Sequence, residues 1–189
     1  METLLSILVG IGLSAACGFR VFIPPLIISI AASSGHLKLA GEFAWMAGTP
    51  ALIAFSIAAG LEIAAYYVPW LDNLLDTAAT PAAIVAGSIV SASMVGDVSP
   101  FLKWTLAIIA GGGAAAAVQG VTVVARGAST ALTGGLANWV VATGEWLAAI
   151  VTSILAVLLP ILALLAAGVF GALILWWALR KKTVKPAAV

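Results

Sequence analysis

The chain has 189 residues, of which 63% are hydrophobic and 8% are charged, and its formal net charge is +1. A mean hydropathy of +1.22 is too high for a soluble domain, and no basic face is large enough to suggest a nucleic-acid partner. The single cysteine, Cys17, excludes an internal disulfide and leaves too little sulfur for a cysteine-rich metal site, so we expect no metal or cofactor. The lipid bilayer is the predicted solvent.

Apolar runs long enough to cross about 30 Å of hydrocarbon, roughly 20 helical residues each, recur along the chain. They predict an all-α fold, a polytopic transmembrane helical bundle that forms one membrane domain with about six spans. The approximate spans are Leu4–Ile30, Phe43–Tyr67, Pro81–Val95, Leu102–Ala125, Ala137–Leu158 and Ile161–Leu179. The third is short and rich in small residues, which favours packing inside the protein. Only Pro160 and its neighbours separate the last two, so one long kinked helix is the alternative there.

The first predicted span contains the most informative side chain of the sequence. Arg20 is the only charge between Thr3 and Ser34. A permanent cation in hydrocarbon must find a carboxylate, a backbone carbonyl or a water-filled cavity, so Arg20 marks an interior polar site. The same span is too long for one straight crossing and contains Gly18 and the pair Pro24-Pro25, which remove helix hydrogen bonds. We therefore expect a broken first helix.

The segment between the second and third spans, PWLDNLLDTAATP, is predicted to form a short interfacial helix on the cytoplasmic side. Asp72 and Asp76 are four residues apart and would share one face of it, as a cytoplasmic rim. Two carboxylates can contribute to a hard-cation site, but such a site needs more oxygen ligands than this stretch offers. A solvated helical face, with Asp72 as the cap, is the favoured interpretation.

Two half-repeats, at about residues 1–97 and 98–180, are weakly similar and are followed by a basic tail at 180–189. GIGLSAACG at 10–18 resembles GGGAAAAVQ at 111–119, and Gly41, Trp45 and Thr49 recur at one constant offset as Gly135, Trp139 and Thr143. Three spans per half would invert the second half in the membrane, a 3+3 inverted repeat. Chance similarity between Ala/Gly-rich segments is the alternative explanation.

Cations near the span ends predict the orientation, because Lys and Arg accumulate on the cytoplasmic side. Arg126 and the basic tail would lie inside, and Lys38 and Lys103 outside. With six spans, both termini are then cytoplasmic and the protein is a multi-pass protein of the cytoplasmic membrane.

Three stretches carry a resemblance to a known family: GLSAACGFRVFIPPL, LEIAAYYVPWLDNLLDTAATPAAIVAGSIV and ARGASTALTGGLANWVVATGE. Together they cover most of the chain, and they are similar to a family of small bacterial integral membrane proteins catalogued only as a domain of unknown function. The family's motif positions correspond here to Arg20, Glu62, Pro69, Asp72, Asp76, Pro81, the TGG at 133–135, Asn138 and Glu145. The resemblance implies a fold and a bacterial inner-membrane location, and it implies no activity.

The chain departs from that family's pattern at several positions, two of which usually carry charge: an Asp-Lys pair at 66–67 and an Arg before Pro81. The departures are at Tyr66-Tyr67, Thr80, Trp139 and Trp146. They weaken any case for a charged catalytic cluster at the cytoplasmic side.

Four charged residues in or beside the spans are the main candidates for function: Arg20, Glu62, Arg126 and Glu145. Either carboxylate is a possible partner for either arginine, and pairing would offset part of the cost of burial. Such a pair can simply fix helix packing. It can also form an ion or proton pathway in which a carboxylate exchanges arginine partners.

Polar groups around the fourth span add three weaker candidates. Gln119 supplies an amide within a run of small residues. Thr133 and Asn138 belong to a predicted loop, 129–138, whose hydroxyls and backbone amides could bind an anion or a phosphate headgroup if it dips into the bundle. Ordinary helix capping explains both residues equally well.

The function we expect is a transporter or channel for a small ion, solute or lipid headgroup. The alternative is a non-transporting membrane scaffold that assembles with itself, or with another membrane protein, through its Gly/Ala-rich helices. An enzyme is not expected, because the sequence contains no Ser-His-Asp set, no HExxH motif and no cysteine with a plausible base.

Overall fold

A computed structural model of the protein describes residues 2–96 and 98–159, together with Val169. Within these residues the fold is all-α and has no strand. The sixth predicted span, 161–179, and the basic tail, 180–189, lie outside the described residues, apart from Val169.

Seven α-helices follow one another along the described chain: α1 (Glu2–Cys17), α2 (Ile23–Ser33), α3 (Thr49–Ala65), α4 (Pro69–Met94), α5 (Pro100–Leu106), α6 (Gly113–Thr133) and α7 (Asn138–Leu158). A 3-10 helix, Gly41–Ala47, precedes α3, and a π-helix, Ala107–Gly112, joins α5 to α6. α1 is central to the bundle, since it packs against α4, α6 and α7.

The first predicted span is broken, as the sequence indicates, between α1 and α2. Residues 18–22 are not helical, and Pro24 and Pro25 lie in the first turn of α2, where a missing N–H costs no helix hydrogen bond. A Cβ at Gly18 would meet the carbonyl of Ala115 and lie 2.7 Å from Cβ of Val118. The break therefore occurs where the end of α1 touches the backbone of α6.

The insertion before the third span is not a separate interfacial helix. It is the first part of α4, which runs without interruption from Pro69 to Met94 with Pro81 inside it. The sequence interpretation placed a boundary at Pro81, but a proline within a membrane helix is tolerated when neighbouring helices compensate for the lost hydrogen bond. The side chains of Asp72 and Asp76 lie outside the described part of the structure, so the rim prediction stays a prediction.

The fourth span is longer than predicted. The α5, π-helical and α6 segments form one apolar stretch from Pro100 to Thr133, and the expected loop at 129–138 shrinks to a turn at 134–137. Gly134 and Gly135, with φ of 62° and 88°, end α6 in the left-handed region that glycine adopts without strain. Residues 129–133 are therefore helical, and the prediction that they belong to a loop that dips into the bundle is wrong.

Among the residues that the structure describes, three stretches are long and apolar enough to cross a membrane: Thr77–Met94, Pro100–Thr133 and Asn138–Leu158. The 3-10 helix and α3, bent by 67° at their junction, count as a fourth if the pair is one span. Half of the 77–94 stretch is buried, more than of the other two, in agreement with its predicted packing inside the protein. These helices indicate a membrane protein, while the count of six and the inverted repeat stay predictions.

Candidate functional site

Arg20 lies in the break between α1 and α2, with only 1% of its surface exposed. Its Nη2 donates hydrogen bonds to the carbonyl oxygen of Ala142, at 3.1 Å, and to Oε2 of Glu145, at 2.9 Å. Both acceptors belong to α7. The break thus turns the guanidinium from the first helix toward the seventh, where it finds the carboxylate and the backbone carbonyl that a buried cation requires.

Glu145 is shared by a second buried arginine. Arg126, on α6, donates from Nε to Oε1 of Glu145 at 2.9 Å and makes a closer contact from Nη2 to Oε2. Arg126 is 5% exposed and Glu145 6% exposed, so three charges occupy one desolvated site. The sequence offered Glu62 and Glu145 as possible partners of the two arginines. In the structure, Glu145 binds both arginines.

Tyr66 completes what we call the arginine cluster, defined as Arg20, Tyr66, Arg126 and Glu145. Its ring lies 3.6 Å from the guanidinium carbon of Arg20 and 4.3 Å from that of Arg126. A ring face attracts a cation, and more strongly where water is excluded. From the sequence, Tyr66 was identified only as a position where the family usually has a charged residue. The available signal was its position four residues after Glu62 on a predicted helix, which places it near the polar site.

Glu62 has a different role from the one expected as a partner of an arginine. Its carboxylate accepts hydrogen bonds from the backbone N–H of Val21, at 2.8 Å, and of Phe22, at 3.0 Å. Both amides lie in the break, directly before α2 begins at Ile23, so the carboxylate is placed at the N-terminal end of that helix, where the helix dipole favours a negative charge. Glu62 therefore caps the N-terminal end of α2 through Val21 and Phe22, the two residues that follow Arg20 in the chain.

The remaining candidates lie apart from the cluster or in its packing. Gln119 is buried in the contact between α6 and the end of α1, since its backbone N would lie 2.9 Å from a Cβ at Gly18. Thr133 is exposed at the α6–α7 turn, where its hydroxyl donates to the Ser129 carbonyl and accepts from the N–H of Ala137. Those bonds are helix-end capping, the simpler of the two sequence interpretations. Asn138 begins α7 at the same turn.

A cavity of about 550 Å³ lies between α1, α6 and α7, and Glu145 forms part of its wall. The other polar lining residues are Thr122 and Thr152, and the rest of the wall is apolar. Phe19 and Ala125, the chain neighbours of the two arginines, also line it. The cavity therefore reaches the arginine cluster at Glu145, and the two arginines lie behind that carboxylate and not in the wall itself.

The polar groups at this site are incompletely satisfied. Nε and Nη1 of Arg20 are buried and have no hydrogen-bond partner among the residues that the structure describes. Across the same part of the chain, no group of three or more His, Cys, Asp or Glu residues could hold a metal ion. The site presents guanidinium and carboxylate groups, which form charge-assisted hydrogen bonds with ligands of the opposite charge.

The fold and the site together define a class of protein: a helical membrane protein in which two buried arginines share one glutamate. The sequence matches a described family over residues 7–181, and the chain belongs to that family, the domain of unknown function DUF4126. No curated protein and no solved structure matches the chain.

Proposed function

We propose that this protein is a membrane transporter or channel for a small ion, solute or lipid headgroup, with the arginine cluster as its selective site. One observation carries the proposal: Glu145, held by two buried arginines, also forms part of the wall of a cavity of about 550 Å³. Ionisable residues within membrane helices are costly and commonly mark substrate or ion pathways. A cavity that reaches such a group gives a substrate access to it.

The division of roles between the two carboxylates supports a movable site. Glu62 is held by the backbone amides of Val21 and Phe22, just before α2, whereas Glu145, at the cavity, is held by the side chains of Arg20 and Arg126. A substrate that competes for Arg20 or Arg126 can displace Glu145 without unfolding a helix end. The arginines and Glu145 would then exchange partners during transport.

A non-transporting scaffold is the second candidate, and the packing of α4 favours it. A Cβ at Gly111 would lie 2.8 Å from the carbonyl of Gly87, so the π-helical segment and α4 are in backbone contact. Small-residue seams of this kind stabilise helix association in membranes and can also support homo-oligomers. In a scaffold, Arg20 would only form a structural ion pair with Glu145, closed off from water.

The proposal places the protein in the bacterial inner membrane with both termini in the cytoplasm, six spans and an inverted repeat. We assign it no enzymatic activity and no cofactor.

Flux through the reconstituted full chain tests the proposal. Liposomes with and without protein are compared for three probes: protons, followed by trapped pyranine; chloride, followed by trapped lucigenin; and a headgroup-labelled fluorescent phosphatidylglycerol, followed by quenching with external dithionite. We expect the protein to accelerate at least one probe. We expect Arg20→Gln to reduce that rate by roughly tenfold or more, equivalent to about 1.4 kcal/mol of barrier.

Folding is measured in parallel, because removal of a buried charge can simply unfold the protein. Arg20→Lys, which keeps the charge but not the two-armed donor, provides a second variant. Flux lost from a variant that keeps the wild-type melting temperature supports transport. No acceleration of any of the three probes, or full flux in both folded variants, overturns it in favour of the scaffold.

A further inference from the structure

We infer that the substrate is an amphiphile with an anionic headgroup, a carboxylate or a phosphate, whose apolar body occupies the cavity and whose headgroup binds at the arginine cluster. The inference rests on the proposed function and names the substrate class for the same site.

The cavity wall fits an apolar body. Most of its lining comes from aliphatic side chains of α1, α6 and α7 and from Phe19, in the break after α1. Its volume lies within the range of about 300–1,000 Å³ typical of small-molecule sites. A small hydrated ion alone would leave most of this surface against water, which apolar surface disfavours. A molecule with an alkyl or similar body fills it favourably.

The charges of the arginine cluster, which the cavity reaches at Glu145, favour an anion. Arg20 and Arg126 carry two positive charges against the one negative charge of Glu145. The fourth charge nearby, on Glu62, lies outside this ion cluster and accepts its hydrogen bonds from the backbone N–H groups of Val21 and Phe22, just before α2. The three-residue ion cluster therefore carries an excess positive charge in a desolvated site, where an opposite charge is most strongly attracted.

The free donors of Arg20 point to the same chemistry. Nε and Nη1 carry three N–H groups, and within the described part of the chain none of them has an acceptor. Carboxylate and phosphate oxygens match the fork of N–H groups on a guanidinium, and such charge-assisted bonds are stronger than neutral ones. A cationic headgroup would instead have to displace two arginines from Glu145.

Four amphiphiles with one twelve-carbon tail test the inference: dodecanoate, dodecyl phosphate, dodecanol and dodecyltrimethylammonium. Each is added below its micelle concentration to the purified full chain in an uncharged detergent, and one-to-one adducts are counted by native mass spectrometry. We expect the two anions to bind roughly tenfold or more tightly than the alcohol or the cation. The order of the two anions distinguishes a fatty-acid-like substrate from a phospholipid-like one.

A matched pair of glycine variants locates the site. Gly144 lines the cavity and Gly120 does not, and a Cβ at either position meets no atom within 4 Å. Both Gly144→Leu and Gly120→Leu should fold, since each adds a helix-favouring side chain to open space. Gly144→Leu should weaken binding of the anions by roughly tenfold, while Gly120→Leu leaves it unchanged.

The outcomes separate this inference from transport itself. Binding of the alcohol or the cation as tightly as the anions, or equal binding by the two glycine variants, overturns the inference. Accelerated flux of any of the three earlier probes would still support transport. Anion binding that Gly144→Leu abolishes, in a chain that moves none of the probes or the anions, overturns both, because the anion is then not a substrate.

Discussion

Glu145 is the residue on which the stability of the site depends, because two buried arginines share its carboxylate. Replacing a whole buried ion pair by apolar groups is often harmless, but removing one partner leaves an uncompensated charge in a desolvated place. At Glu145 a single change leaves two such charges. The carboxylate therefore contributes to stability mainly by preventing the cost of two unpaired guanidinium groups.

Glu145→Gln is expected to lower the free energy of unfolding by about 3–5 kcal/mol. The measurement is thermal unfolding of the purified protein in detergent. Thr152→Val is the control, since Thr152 lines the same cavity but carries no charge, and we expect it to change stability by less than about 1.5 kcal/mol, the net contribution of a typical neutral hydrogen bond. Equal destabilisation by the two variants would contradict the central role of the carboxylate.

Tyr66 stabilises the same arginines through its ring. Tyr66→Leu removes the ring face at 3.6 and 4.3 Å from the two guanidinium carbons, whereas Tyr66→Phe keeps it. We expect the leucine variant to be less stable than the phenylalanine variant by about 1–2 kcal/mol, as for a desolvated cation–π contact. Thermal unfolding of both variants measures the difference. A leucine variant as stable as the phenylalanine variant would show that the ring acts only by filling space.

At the scale of elements, the break between α1 and α2 delivers Arg20 to the site. In a continuous helix, Arg20 would project from the axis that α1 follows. Residues 18–22 are instead non-helical, and Glu62 caps α2, the helix that follows them. The position of the break is set by the contact of Gly18 with the backbone of α6. Element geometry and site geometry are therefore coupled through one glycine.

Gly18→Ala is expected to destabilise the protein by about 1–3 kcal/mol or more, because the added methyl group meets backbone that cannot shift easily. Gly120→Ala adds the same methyl group within α6, where no atom lies within 4 Å, and should gain up to about 1 kcal/mol from helix propensity. Chemical or thermal unfolding in detergent compares the two. Stabilisation by both changes would contradict a close contact at Gly18.

At the scale of the whole molecule, two sets of contacts mark opposite ends of the bundle. Glu42 forms an ion pair with Lys103 at the end where α5 begins. The hydroxyl groups of Tyr67 and Thr143 are 2.8 Å apart at the end where α6 turns into α7. If the helices cross the membrane, these ends face opposite compartments.

Single cysteines test that arrangement and its orientation. In a Cys17→Ala background, we expect a membrane-impermeant maleimide to label His36→Cys in intact cells. It should label Leu136→Cys only after the cells are disrupted, because the cation bias places that end inside. Both positions are exposed in the fold. Labelling of both from the same side of the membrane would exclude the proposed topology, and the reverse pattern would invert it.

Parts of the fold and site follow from local sequence signals. Long apolar runs require helices in lipid, and the glycine and paired prolines after α1 predict its break. By contrast, Pro81 and the 129–133 segment carry turn-like signals and are nevertheless helical. Local propensity is a weak signal there, because packing against neighbouring helices offsets the cost of an unfavourable residue.

The sequence by itself determined that this is a helical membrane chain and that Arg20 is an interior cation, because hydrocarbon admits neither open backbone nor an unpaired charge. Only the tertiary structure decided that Glu145 binds both arginines, that Glu62 caps α2 and that Tyr66 covers the guanidinium groups. These partners are brought together by the packing of α1, α3, α6 and α7. Residues more than 100 positions apart meet through that packing, and no local pattern specifies which carboxylate lies opposite which arginine.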